Sequence, residues 1–249
     1  MYVRMLSLRT CGHFSLVKSD YGTEYKTTDF ITPEALYAAL TRGKTRKFGS
    51  ITKNMSSDFF TWYDVKKEPI WFLPGIFESR IQKNEYVFNV IDELKPSTNK
   101  YSNYKKGKWQ FSERKIVPTY GTIETVRPNQ IFVTWAVSSN KQILNNYATG
   151  QVFLLGKKRT MVQIVGVSES SELKDTEIKS ETWPLPLQIE DFSKFYAYEL
   201  LWHTPKYVVG KGITQNVMQA IVLLDGQEKK LILPKWWLEK LSWLQEEIV

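Results

Sequence analysis

Short runs rich in β-branched and aromatic residues follow one another along the chain, and this succession constrains the fold more than any other feature. Residues 131–137 follow the period of two that is typical of a half-buried strand. Asp225 and Gly226, a pair that favours a two-residue hairpin turn, separate two further apolar runs. The pattern therefore predicts a mainly antiparallel sheet. The runs interpreted as strands are 2–9, 70–77, 85–91, 131–137, 151–156, 161–167, 196–202 and the two arms of a 217–234 hairpin.

Residues 31–43 carry the clearest helical signal in the sequence. Thr32 is suited to capping the helix, Pro33 to its first turn, and Gly43 to its end. Because helices accompany an antiparallel sheet, we expect an α+β fold. Shorter helical patterns occupy 188–195 and 235–248.

Charge is distributed unevenly along the 249 residues, which suffice for one large domain or two small ones. Residues 1–159 hold 25 Lys and Arg against 13 Asp and Glu, a balance of +12. Residues 160–249 hold 9 against 13, a balance of −4, and the chain as a whole carries +8. This polarity favours a polyanionic partner for the first two thirds of the chain.

Residues 100–115 combine five lysines and one arginine with a single glutamate, within a polar and turn-rich segment, 92–122, that we expect to be irregular. Lysine pairs with phosphates, and aromatic rings offer faces to unpaired bases, which duplex DNA keeps stacked internally. The combination favours single-stranded nucleic acid, RNA above all. The alternative is that Trp109 and Phe111 anchor the segment to the core while the lysines are merely solvated. The aromatic residues of the segment are Tyr101, Tyr104, Trp109 and Phe111.

Other basic segments are predicted to lie in loops, where binding residues tend to sit on a rigid sheet. Two of them, 156–159 and 210–212, contain glycines that let backbone amides approach a phosphate, although neither has the GxxxxGK[ST] spacing and both are compatible with ordinary hairpin turns. The residues assigned to an RNA-binding surface are Arg42, Lys44, Arg46, Lys47, Tyr104, Lys105, Lys106, Lys108, Trp109, Arg114, Lys115, Lys157, Lys158, Arg159 and Lys211.

Residues suited to catalysis or metal binding are sparse. Cys11 is the only cysteine and His13 and His203 are the only histidines, so we expect no disulfide, no structural zinc, no other metal and no cofactor. His13 could serve as a general acid or base, with Lys18 or Tyr21 beside it, but a structural or incidental histidine is the simpler interpretation. No run approaches the roughly 20 apolar residues of a membrane span, and the first residues lack a signal-peptide core, so we expect a cytoplasmic protein.

Several segments occur in an order that is found in a known family. RMLSLRT and then GHFSLVKSDYGTEYKTTDFITPEALYAAL are similar to that family's opening strand, polar loop and alanine-rich first helix. IWFLPGIF, IVPTYGTIETVRPNQIFVTWAVS and LLGKKRTMVQIVGV resemble its later strands and turns, and ETWPLPLQIEDF resembles its "NPLD" segment, from which TWPLPLQ departs. The family is the RAMP proteins of CRISPR effector complexes, and more narrowly the Cas-five-type, Csc-one subunit of type I-D complexes. The resemblance covers most of residues 1–235.

The resemblance implies a ferredoxin-like, RRM-type core with an antiparallel sheet over residues 1–167. A basic thumb-like loop or hairpin would be inserted at about 92–122. Residues 168–182, polar and acidic, would form a connector. Residues 183–249 would form a smaller C-terminal α/β extension packed on the core.

The resemblance also implies a non-catalytic role in antiviral defence. Such a subunit of the type I-D Cascade complex holds the 5′ handle of the guide RNA and contacts the backbone subunit and the large subunit. It lies near target DNA at the protospacer-adjacent motif. Base pairing reads the target in such complexes, while protein holds the backbone and shape of the nucleic acid.

Two other functions remain open at this point. A metal-free endoribonuclease that processes precursor guide RNA would lose cleavage in a His13→Ala variant. A free-standing DNA-binding regulator would bind duplex DNA tightly without partner proteins, but the sequence contains neither a helix-turn-helix pattern nor a basic recognition helix.

Overall fold

The computed structural model describes the polypeptide in several stretches. These are residues 1–20, 24–41, 69–90, 102–105, 108–111, 119–155, 160–176, 185–188, 194–203, 206–213 and 217–234. Within them the chain is mostly antiparallel sheet, curled into a half-barrel, with few helices. The expectation of an α+β fold is therefore met only in its antiparallel sheet, because strands outweigh helices strongly in the described ranges.

The elements are numbered in chain order. The helices are α1 (Pro33–Leu40) and α2 (Lys141–Asn145). The strands of the first half are β1 (Tyr2–Thr10), β2 (Val17–Asp20), β3 (Glu24–Thr27), β4 (Phe30–Ile31), β5 (Trp71–Phe72), β6 (Gly75–Phe77), β7 (Lys83–Val90), β8 (Ser102–Lys105), β9 (Lys108–Phe111) and β10 (Thr119–Val126). Those of the second half are β11 (Ile131–Ser138), β12 (Val152–Leu155), β13 (Thr160–Val167), β14 (Ser171–Glu172), β15 (Lys174–Thr176), β16 (Leu187–Gln188), β17 (Lys194–His203), β18 (Lys206–Ile213), β19 (Val217–Leu224) and β20 (Gln227–Pro234).

The largest sheet is built around β1, which pairs antiparallel with β11 on one side and β13 on the other. Its strand order is β12-β13-β1-β11-β6-β4, and two short strands also pair with its central strands, β14 with β1 and β5 with β11. Leu6 and Leu8 of β1 are fully buried, and Phe132 of β11 lies directly opposite Leu8. Central strands that pair on both edges and bury apolar side chains give this sheet its stability.

Helix α1 covers this sheet, packing against β12 and β5. Thr32 caps the helix as its sequence predicts, because its hydroxyl accepts a hydrogen bond of 3.3 Å from the amide of Ala35. The helix ends at Leu40 with Thr41 as its C-cap, so it does not reach Gly43, which lies outside the described residues. Tyr37 packs against Trp71 with ring centroids 5.6 Å apart.

The C-terminal hairpin of β19 and β20 has the turn that its sequence predicts. Asp225 and Gly226 both have positive φ, 51° and 76°, as a two-residue type I′ turn requires. The hairpin packs on the largest sheet, where Leu224 of β19 lies over Gly166 of β13. A Cβ placed on Gly166 would be 3.5 Å from Leu224 Cδ1 and 3.5 Å from Cβ of Ser7 in β1. Ala220, Val222 and Leu224 of β19, with Leu231 and Leu233 of β20, join the same hydrophobic core as β1 and α1, whereas Val217 packs with Leu187 in a separate cluster.

A smaller sheet has the order β2-β3-β10-β7. The pair of β3 and β10 is parallel, whereas β7 and β10 run antiparallel over eight paired positions. The antiparallel pair of β7 and β10 is called the arm below. No strand pairs with the other edge of β7 among the residues that the structure describes. Val87, in the middle of β7, is 72% exposed.

Several sequence expectations need correction. The predicted strand 70–77 is two strands, β5 and β6, because Leu73 and Pro74 interrupt it and its register against β11 shifts by one residue between them. The predicted connector 168–182 contains β14 and β15, which pair with β1 and β19. The predicted helix 188–195 begins in β16 and ends in β17, with 189–193 outside the described residues. The predicted helix 235–248 also lies outside them.

In the ranges that the structure describes, no helix is both long enough and apolar enough to cross a bilayer.

Candidate nucleic-acid interface

The segment 91–118 is inserted between the two strands of the arm. The register of the arm runs from Lys83 opposite Val126 to Val90 opposite Thr119. The insertion therefore leaves and rejoins the sheet at one pair of facing residues. The segment is therefore an insertion that begins and ends at neighbouring positions of one sheet.

The insertion contains a two-stranded ribbon of β8 and β9. Its register places Tyr104 opposite Trp109, and Lys105 opposite Lys108. Because successive positions of a strand alternate between faces, Tyr104 and Trp109 occupy one face of the ribbon with Phe111, and the two lysine positions occupy the other. These residues were expected in a loop, and that expectation is wrong: they lie on strands. At the paired positions of β8 and β9, the aromatic and the lysine positions thus fall on different faces of the ribbon.

The other residues that the sequence assigned to RNA binding are distributed differently. Lys211 was expected in a glycine turn, but it lies within β18, opposite Ala197 of β17, because Gly210 and Gly212 are both accommodated in that strand. β12 and β13 pair as a hairpin, as predicted, with Leu155 opposite Thr160. Ten assigned residues lie outside the described ranges, namely Arg42, Lys44, Arg46, Lys47, Lys106, Arg114, Lys115, Lys157, Lys158 and Arg159.

Lys83 fixes the base of the arm. Its ammonium Nζ lies 2.7 Å from Asp29 Oδ1 and 2.9 Å from Glu124 Oε1, and it donates a 3.1 Å hydrogen bond to the carbonyl of Thr27. Burial by itself lowers the pKa of Lys83, but the hydrogen bonds and charges of Asp29 and Glu124 outweigh it, so the pKa is raised above its ordinary value. Lys83 thereby ties β7 to β10 and to the chain around β3.

The two faces of the arm differ in charge. Glu85 lies directly opposite Glu124 on one face, where Lys83 neutralises part of the negative charge. The other face has Asn84 opposite Thr125 and Tyr86 opposite Ile123, without a carboxylate at these positions. A polyanion that follows the arm toward the ribbon would therefore meet less repulsion on the face of Asn84 and Tyr86.

A row of polar side chains crosses the face without carboxylates, the face of Asn84 and Tyr86, at the base of the arm. Arg127 Nε donates a 2.5 Å hydrogen bond to Asn84 Oδ1, and Asn84 Nδ2 donates one of 3.3 Å to the hydroxyl of Tyr86. His13 Nε2 lies 3.5 Å from the same hydroxyl, and its ring meets that of Tyr86 edge-on, with centroids 5.8 Å apart. His13 is exposed, and Tyr86 is 43% exposed. We call these four residues the arm-base row.

Gln130 holds the backbone that carries the arm-base row. Its buried side chain accepts a 2.6 Å hydrogen bond from the amide of Gln82 and donates to the carbonyls of Gln82 and Arg127, at 2.7 and 3.0 Å. The hydroxyl of Thr10 accepts from the amide of Gln130 at 3.0 Å. A buried, fully hydrogen-bonded amide of this kind fixes the position of the chain before a ligand binds.

Among the described residues, no three His, Cys, Asp or Glu side chains cluster in a way that could hold a metal ion. His13 has Tyr86 as its neighbour. The partners suggested for it by sequence, Lys18 and Tyr21, have no described side chains.

Sequence reasoning missed Tyr86, Asn84 and Arg127 as candidate binding residues. The predicted strand 85–91 contained Tyr86 but began one residue after Asn84, whereas the observed β7 begins at Lys83 and so places residues 84 and 86 on one face. Their proximity to His13, however, joins residues 73 positions apart in the chain and depends on the tertiary fold.

No protein-family model matches the chain, and no curated protein matches it significantly.

Proposed function

We propose that the chain is a non-catalytic, guide-RNA-binding subunit of a type I-D CRISPR surveillance complex, of the RAMP type. In this role it holds the 5′ handle of the guide RNA and contacts the backbone and large subunits, close to target DNA. The grip on RNA is electrostatic and stacking in nature, and it requires neither a metal nor a cofactor.

The topology of the largest sheet supports a ferredoxin-like, RRM-type core. A ferredoxin-like sheet has its four strands in the spatial order 4-1-3-2 with one helix after the first strand and one after the third. The order β13-β1-β11-β6 has this form, and all its pairs are antiparallel. α1 follows β1 in the chain and α2 follows β11. The additional strands β4, β12 and β14 would be elaborations of that core.

The observation that carries the proposal is the ribbon within the insertion. The insertion is tethered at Val90 and Thr119, and its register pairs Tyr104 with Trp109 and Lys105 with Lys108. Facing lysines favour phosphates, and facing aromatic residues favour unpaired bases, so the two sets of positions suit the two chemical parts of one single strand. Duplex DNA would engage the lysines alone, which is why a duplex-binding regulator fits less well.

Purification of the protein with its partners from its native host tests the proposal. We expect a bound population of small RNAs that share one 5′ end derived from a CRISPR repeat, together with a larger subunit and a repeated backbone subunit. Heterogeneous RNA without a common 5′ end, or no RNA, would contradict the proposal. A preparation of the Lys105→Glu, Lys108→Glu variant, which should carry less of this RNA, controls for RNA held by the partners alone.

One observation keeps a second function under test. The exposed pair of His13 and Tyr86 places an imidazole beside a phenol, two groups that could transfer protons in a metal-free ribonuclease. If the isolated chain cut a CRISPR-repeat RNA, and His13→Ala abolished the cut, the endoribonuclease would replace the structural subunit. A structural subunit leaves that RNA intact with or without the substitution.

A further inference from the structure

The arm-base row is separate from every residue that the sequence assigned to RNA. It lies away from the end of the arm at which the insertion begins, because Asn84 and Tyr86 come before Val90, the last residue of β7. With a rise of about 3.3 Å per residue, Tyr86 is roughly 13 Å and Asn84 roughly 20 Å along β7 from Val90, where the insertion begins. The row is therefore a second group of residues, distinct from those of the ribbon, that a strand could contact.

We propose that the arm-base row binds one unpaired nucleotide of the RNA, with the base stacked on Tyr86 and a phosphate paired with Arg127. This inference rests on the proposed function, since it assumes that single-stranded RNA is the ligand. It adds a second contact, on the face of the arm that lacks carboxylates.

The aromatic part of the site is open and oriented. Tyr86 is 43% exposed, although its strand, β7, is paired with β10. The edge-on contact with His13, at 85° between the ring planes, occupies at most one face of the phenol ring and leaves the other for a base. Hydrogen bonding of the hydroxyl to Asn84 restrains the ring, so little side-chain entropy is lost when a base stacks on it.

The cationic part of the site is Arg127, which no carboxylate of the described residues neutralises. Arg127 donates through Nε to the neutral amide of Asn84, and among the described residues it forms no ion pair with a carboxylate. Its remaining guanidinium nitrogens are available for a phosphate, which guanidinium binds with two parallel hydrogen bonds. Only the amide of Asn84 separates this group from Tyr86, so a single nucleotide can reach both.

The chemistry of the surroundings selects RNA over a protein partner. Val87, which is 72% exposed, is on the opposite face, with Glu85 and Glu124. An apolar protein surface would favour that face. The row itself presents an aromatic ring, a cation and neutral polar groups, which is the composition of a single-strand contact.

Binding of the full chain to a short fluorescent oligouridine, measured by anisotropy, tests the inference. Tyr86→Ala should weaken binding by about 5- to 150-fold, the range expected for one stacked base. Tyr86→Phe, which keeps the ring, should retain most of the affinity, and Val87→Ala on the opposite face should leave it unchanged. Arg127→Ala should weaken binding and lower the steepness of its salt dependence by about 0.7, as expected for the loss of one phosphate contact.

Cross-linking of the wild-type chain gives a second readout that does not depend on a variant folding. A 4-thiouridine-substituted oligouridine should form an adduct on the peptide that contains Tyr86. If Tyr86→Ala binds like wild type and no adduct forms there, the inference is overturned, while weakened binding in Lys105→Glu, Lys108→Glu would leave the proposed function standing. If the wild-type chain does not bind the oligouridine at all, both fall together.

Discussion

Reversing the two facing lysines of the ribbon should change how RNA binding depends on salt. Lys105 and Lys108 occupy directly opposed positions of an antiparallel pair, where Cβ atoms lie about 4.5–5.5 Å apart, so both can serve neighbouring phosphates of one strand. For single-stranded RNA, each neutralised phosphate contributes about −0.7 to the slope of log K against log salt concentration. If the chain neutralises about six phosphates, the wild-type slope is about −4.2, and loss of two contacts reduces it to about −2.8.

The difference is large enough to measure by a simple titration. Raising the salt concentration fourfold should weaken wild-type binding by about 340-fold, but the Lys105→Glu, Lys108→Glu variant by only about 50-fold. Fluorescence anisotropy with a short single-stranded RNA at several salt concentrations gives both slopes. The variant should also bind more weakly at the lowest salt, because glutamate repels phosphate.

A matched control separates the ribbon from net charge. Lys174 of β15 and Lys230 of β20 are both exposed and lie in the mildly acidic C-terminal third. Each Lys→Glu change alters the charge by −2, so either double variant lowers the net charge from +8 to about +4. The reasoning is refuted if the ribbon variant keeps the wild-type slope, or if the Lys174→Glu, Lys230→Glu control flattens it equally.

Three further predictions concern the fold that presents the site, and urea unfolding checks each of them. Lys83→Met should lower the free energy of unfolding by about 1–3 kcal/mol, because it leaves two carboxylates without their cation. Since the folded-state pKa of Lys83 is raised, the stabilisation by this residue is complete below the ordinary lysine pKa of about 10.4 and is lost as pH rises through the folded-state pKa. If the wild-type chain lost no more stability at alkaline pH than the variant does, this prediction would be contradicted. Gly75→Ala should lower the free energy of unfolding by about 1–3 kcal/mol, because the added Cβ would lie 3.1 Å from Cδ2 of the fully buried Phe132. An unchanged urea midpoint would contradict this and would show that Phe132 can move at little cost. Thr32→Ala should cost about 1 kcal/mol through loss of the cap on Ala35, and Thr32→Ser should restore most of it; equal stability of the two variants would refute the capping role.

The parts of the fold that depend on local chemistry could be predicted from the sequence. Asp225 and Gly226 specify a type I′ turn wherever they occur between two apolar runs, and Thr32 with Pro33 specifies where α1 begins. The break at Leu73 could not be predicted with equal ease. It depends on long-range bonds to β11, in which the amide of Leu73 donates to the carbonyl of Trp135 and its carbonyl accepts from the hydroxyl of Thr134.

The candidate site was predictable in composition but not in geometry. The density of lysine and aromatic residues marked the ribbon, yet their turn-forming neighbours concealed the strands β8 and β9. The turn predicted at Lys211 was also wrong, because its flanking glycines suggested a turn at a position where β18 continues. The contact between His13 and Tyr86 arises only when β7 is folded beside the end of β1, and no periodicity of the sequence reports it.

A density map of the assembled particle purified from its native host tests the central claim most directly, since it shows what the insertion between β7 and β10 contacts. We predict that the facing positions Lys105 and Lys108 lie against the phosphates of an unpaired RNA strand, with Tyr104 and Trp109 toward its bases. A map in which this ribbon faces solvent or protein, with the RNA held elsewhere, would contradict the account.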